Sequence, residues 1–176
     1  MPCKASDVVR LIKTQIGVHE TPAGSNNVIY NTEYYGREIN DPNYAWCVVF
    51  GWWALKHCNA PELFYGGQKT ASCSVIDYWG RTSGLVVTDP QPGDIVLFDW
   101  CKDGTPDHFG FVIGVEASGK IQTVEGNVGD AVKQMTRDRS QVLRFIRPKY
   151  QPESSGGKTC SADACPILEY LKTLIK

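Results

Sequence analysis

Cys47 follows Trp46 and opens an apolar run, Cys-Val-Val-Phe-Gly-Trp-Trp-Ala-Leu, with the pattern of a helix buried on most sides. His108 and then Glu125-Gly126-Asn127 come later, on segments with strand composition. A thiol at a helix start, with an imidazole and a carboxylate or amide downstream, has the parts of a cysteine hydrolase. A thiol is mostly protonated at neutral pH, and it becomes a competent nucleophile where a helix N-terminus and an imidazolium stabilise the thiolate. The imidazole must in turn be held in one tautomer and orientation, a role open to Glu125 or Asn127. The other candidates have plainer readings. Cys58 and Cys73 fit small core residues. His19, after a helix end, and His57, beside Lys56, fit exposed or capping positions.

The elements that must position these groups follow from pattern. The spacing of Val8, Leu11, Ile12 and Ile16 predicts an amphipathic helix from Ser6, as N-cap, to Gly17. Residues 18–44 are loop-rich, with a short helix over Val28 to Tyr34. A second helix runs from about Trp46 to Cys58, and a third from Ser72 to about Thr82. Strands are expected over Asp94 to Phe98, Phe109 to Glu116, Lys120 to Glu125, Ala131 to Thr136 and Val142 to Arg147. The position of His108 at a strand start predicts a side chain near a sheet edge, facing the second helix. Helices first and strands second imply an α+β domain with an antiparallel sheet.

A catalytic domain is expected over residues 1–150. Gln151 to Lys158 has linker composition, and 166–176 would form a small helix or the stub of a further module. A net charge of -1 and a pI near 6.3 lack the basic footprint of a nucleic-acid binder. No apolar stretch approaches the roughly 20 residues that span a bilayer, so no stable membrane insertion is expected. The N-terminus lacks the apolar core of a secretory signal, which predicts cytoplasmic synthesis and delivery by another route. Seven cysteines, an odd number, predict mostly free thiols.

Four segments resemble, in order, the signature motifs of CHAP domains: Trp46-Cys47, Pro92-Gly93-Asp94-Ile-Val-Leu-Phe98, Asp107-His108-Phe-Gly-Phe-Val112 and Thr123-Val-Glu-Gly-Asn127. These are the cysteine, histidine-dependent amidohydrolases/peptidases of phage endolysins and bacterial autolysins. Gly24-Ser-Asn-Asn27 and Tyr34-Tyr-Gly36 also look like the run that precedes the nucleophile there. The resemblance covers about residues 6 to 147. It implies a papain-like fold, N-terminal helices packed on a C-terminal antiparallel β-sheet, and hydrolysis of an amide bond in peptidoglycan without a cofactor. The bond would be muramoyl-L-alanine or one in the stem or cross-bridge peptide, and the protein a monomeric phage or prophage lysin acting on the wall after release.

By the same resemblance Cys47 is the nucleophile, His108 the general base, Glu125 the group that orients it, and Asn127 an accessory. The Cys47 backbone amide is the first oxyanion donor. Some relatives carry a glutamine where this chain has Trp46, so the second donor is open, with Tyr44 or Asn43 as candidates. Tyr44 and Trp46 are the aromatic residues expected against substrate. The stretch Asn40-Asp-Pro-Asn-Tyr44 has one carboxylate, and the chain has no Cys-x-x-Cys or His-Glu-x-x-His, so no metal site is expected. The competing class is a catalytically inactive wall-binding or virion-associated module of the same fold.

Overall fold

Cys47 through Leu55 are all buried. A helix without a polar face must be covered all round, and the rest of the fold supplies that cover. The computed structural model describes residues 3–153. Its helices are α1 (Ala5–Thr14), α2 (Ile29–Tyr35), α3 (Cys47–His57) and α4 (Cys73–Thr82). Its strands are β1 (Val86–Val87), β2 (Ile95–Phe98), β3 (His108–Val115), β4 (Ile121–Glu125), β5 (Lys133–Arg137) and β6 (Val142–Ile146). The strands form one antiparallel sheet in the order β1-β6-β2-β3-β4-β5. This is the α+β, papain-like arrangement expected, with helices before strands.

α3 lies on β3 so closely that a Cβ at Gly51 would overlap the Phe109 ring. On its other side α2 delivers Tyr30, whose ring meets Trp46, Phe50 and Trp53 with centroids 5.4, 5.0 and 5.0 Å away. Because strand side chains alternate, Phe109, Phe111 and Val124 join the main core, while Val96, Phe98, Val112, Ile121 and Phe145 form a second, smaller cluster. His108 pairs with Phe98, so it belongs to the second face and not to the face that carries α3. Its imidazole nonetheless reaches the start of that helix, as expected, with a hydrogen bond to Cys47.

Several boundaries differ from expectation for local reasons. Ser6 is not the N-cap of α1, since Lys4 takes that position and its N–H donates to the Asp7 carboxylate at 3.1 Å. Ser6 instead donates its N–H and hydroxyl to Glu153, at 3.0 and 2.9 Å. With the Gln151 N–H donating to the Cys3 carbonyl at 3.0 Å, the first residues of the predicted linker are tied to the start of α1. The rest of that linker, the 166–176 helix, Cys160 and Cys165 lie outside the described residues. His57 is half-buried, stacked on Trp53 at 4.4 Å with Nε2 2.9 Å from a Glu33 oxygen. The two-residue β1 is too short to leave a periodic signal.

Candidate active site

The approach to the nucleophile is built from buried polar side chains. Glu20 is 3% exposed; one of its oxygens accepts the Asn26 N–H and the other the Trp46 indole N–H, both at 2.7 Å. Asn26 donates to the Asp41 carbonyl at 3.0 Å, and Asn31 donates to the Asn26 and Tyr44 carbonyls at 2.9 Å each. Residues 41–46 are thus anchored from below by two amides and a carboxylate. They deliver Cys47 as the first residue of α3, with Trp46 in the cap position at φ -122° and ψ 16°.

Trp46 is completely buried, which corrects its assignment as a substrate contact: its ring packs in the core and its N–H is used by Glu20. Tyr44 is half-buried, edge-on to Tyr35 at 5.0 Å, with its hydroxyl accepting from Arg37 at 3.2 Å. It retains an exposed surface, as a groove wall requires. The Asn43 side-chain amide donates one of its N–H groups to Asp41 at 2.9 Å.

His108 and Glu125 are brought together by register. β3 and β4 pair so that Phe111 stands opposite Val124, which sets Gly110 beside Glu125 and His108 one step along the same face. The absence of a side chain at Gly110 is what admits the carboxylate, since a Cβ there would lie 2.7 Å from Glu125 Cγ. Nε2 of His108 is 3.1 Å from Oε2 of Glu125. With Nε2 so used, Nδ1 is the nitrogen that faces Cys47.

Glu125 is fully buried and, besides His108, is held by three hydrogen bonds from two side chains. Arg137 donates Nε to Oε1 at 3.0 Å and Nη2 to Oε2 at 2.6 Å, and the Thr123 hydroxyl donates to Oε1 at 2.5 Å. The guanidinium lies 5.6 Å from the Phe98 ring and 5.3 Å from that of Trp100, and Trp100 is 5.3 Å from His108. Asn127 is half-buried in a left-handed turn at φ 62°, and its side chain makes no hydrogen bond among the described residues. The side chains that hydrogen-bond Glu125 besides His108 are Arg137 and Thr123. Thr123 was legible as the same-face neighbour two residues before Glu125; Arg137, on the next strand, gave no local signal.

The protonation states agree with this geometry. A hydrogen bond with Cys73 does most to hold the Cys47 thiol well below its usual range; burial opposes it, and His108 and the Val48 N–H add to the lowering. Burial would push His108 down, yet its bonds and charge interactions with Cys47 and Glu125 outweigh this and raise it from 6.5 to about 9. Burial likewise would raise Glu125, but His108, Arg137 and Thr123 bring it from 4.5 to about 2. The favoured state is a thiolate–imidazolium pair backed by a carboxylate. The Cys47 N–H donates to no group among the described residues and stands at the helix N-terminus, where an oxyanion would be stabilised.

Cys73 was read as a core residue from sequence, and its place corrects that. It opens α4, half-buried, with its Sγ 4.0 Å from that of Cys47. Its thiol is pushed up, first by bonding to Cys47 and then by burial, so it remains protonated and donates.

A helix-borne thiolate beside a strand-borne imidazole and carboxylate defines the arrangement of a papain-like cysteine hydrolase. The chain belongs to the CHAP domain family, whose model matches residues 39–127, about half of the sequence. That family comprises amidases and peptidases that act on peptidoglycan. No curated protein matches the chain.

Proposed function

We propose that this protein hydrolyses an amide bond of bacterial peptidoglycan through Cys47, His108 and Glu125. The observation that carries the proposal is the continuous line from the low-lying Cys47 thiol through the His108 ring to Glu125, whose Oε2 is 3.1 Å from Nε2. The Cys47 thiolate attacks the carbonyl, and the developing oxyanion takes the Cys47 N–H. Protonated His108 then gives its Nδ1 proton to the leaving amine, which leaves a thioester. Water, deprotonated by the same nitrogen, hydrolyses the thioester and regenerates the thiol. Glu125 keeps the ring oriented and stabilises its charge, and Arg137 and Thr123 hold Glu125 in place.

The same reading makes the protein a lysin of phage or prophage type, made in the cytoplasm and acting on the wall after release. Tyr44 is the side chain proposed against the glycan or peptide. No helix among the described residues is long and apolar enough to cross a membrane. The inactive binding module of the same fold is disfavoured by the assembled site, because wall binding alone needs neither a lowered thiol nor a carboxylate-backed histidine. The deciding experiment is mass spectrometry of purified peptidoglycan incubated with the protein. New N-terminal amines are expected, with fragment masses that separate muramoyl-L-alanine cleavage from peptide cleavage. Binding without new amines would establish the inactive module.

A further inference from the structure

We propose that Cys47 and Cys73 form a reversible disulfide when the protein meets a peroxide, with Cys73 as the resolving thiol that closes the site and shields its nucleophile from deeper oxidation. The inference rests on reading Cys47 as the reactive thiolate. Three observations carry it. The two sulfurs are already 4.0 Å apart. Each cysteine is the first residue of its own helix, Cys47 of α3 and Cys73 of α4, so two helix starts converge on the pair, and the α3 N-terminus favours the anion at Cys47. Cys73 is half-buried and packed at the edge of the core, and closing the link would bring its sulfur to an S–S distance of about 2.05 Å from that of Cys47. Cys3 and Cys58 are both buried within the core, unlike Cys73.

The chemistry balances with hydrogen peroxide as the oxidant. The Cys47 thiolate attacks one peroxide oxygen, the O–O bond breaks, and a sulfenic acid forms as hydroxide leaves and is protonated to water. The Cys73 sulfur then attacks the Cys47 sulfur, the S–S bond forms and the S–O bond breaks. The departing hydroxide takes the Cys73 proton as a second water. Two thiols have lost two electrons to one peroxide, and a dithiol reverses the product by exchange.

The test is peptide mapping of the full chain after a stoichiometric dose of hydrogen peroxide and quenching with iodoacetamide. Trypsin releases Cys47 in the peptide Glu38 to Lys56 and Cys73 in Thr70 to Arg81. The expected product is these two peptides joined, lacking two hydrogens and split by dithiothreitol. Hydrolysis, where measured, should be lost with the link and restored with the reductant. In Cys73→Ser, given a second equivalent of hydrogen peroxide, Cys47 should instead pass through the sulfenic to the sulfinic acid, and dithiothreitol should not restore it. Separate peptides with Cys47 unmodified or sulfinic in the wild type would overturn the proposal, as would equal recovery of Cys47 in Cys73→Ser. The mapping reads sulfur chemistry alone, so a protein that forms the link but cuts no wall would refute the proposed function and not this one.

Discussion

Replacing Glu125 with glutamine removes one charge from the line while keeping its shape. The rise of His108 from 6.5 to about 9 corresponds to about 3 kcal/mol of preference for the imidazolium. Solvent screens little of it, because the side chains of His108 and Glu125 are 13% and 0% exposed. Two anions, Cys47 and Glu125, share the stabilisation. Loss of Glu125's share, roughly half, should move the alkaline limb of the pH–rate profile down by about one pH unit, cutting kcat up to about tenfold above that limb while changing the protonation of His108 little at neutral pH. Geometry adds to the loss, since Arg137 donates to both carboxylate oxygens and a glutamine NH₂ must face one of those donors. The sign is fixed: the active pair needs His108 protonated, so a lower His108 pKa removes activity from the alkaline side first. The assay is the initial rate of release of new amines from soluble muropeptides, followed into the alkaline range. An alkaline limb unchanged in Glu125→Gln would refute the view that this carboxylate sustains the imidazolium.

Cys47→Ala should abolish hydrolysis with little change in thermal midpoint, and His108→Ala should be nearly as severe; lysis by a folded Cys47→Ala protein would end the thiol mechanism. Arg137→Met leaves Glu125 buried with fewer donors, and should destabilise the fold by about 3 kcal/mol in chemical denaturation. Because Glu125 lies near 2 in the fold and near 4.5 outside it, its contribution is present above pH 4.5 and lost as pH falls toward 2. With Arg137 gone that loss should begin at higher pH, and parallel curves of thermal midpoint against pH for the two proteins would contradict this. Gly110→Ala should lower kcat more than it raises KM, by pushing Glu125 aside without removing any reacting group; normal kcat would show that the 2.7 Å overlap is relieved elsewhere. Iodoacetamide should stop hydrolysis and EDTA should not, and a calcium requirement in dialysed protein would count against the metal-free mechanism.

The sequence by itself determined the parts whose signals are local. α3 was readable because its apolar run has no polar side, and α4 because Ser72 accepts the Val75 N–H as a cap should. The central strands β2 to β4 were readable from β-branched and aromatic runs broken by turns. Cys47, His108 and Glu125 were legible as residue types at element ends. Tertiary structure alone decided what lies between elements. Arg137 reaches Glu125 only because β5 pairs with β4, and Glu20 meets Trp46 across 26 residues of chain. Cys73 reaches Cys47 because two helix starts converge, whereas an isolated cysteine in an apolar run gives no hint of its neighbour. Trp46 was misplaced for the same reason: an aromatic side chain carries no local mark of whether it faces the groove or the core. Periodicity reports which way a side chain points within its own element, and only packing sets what it meets there.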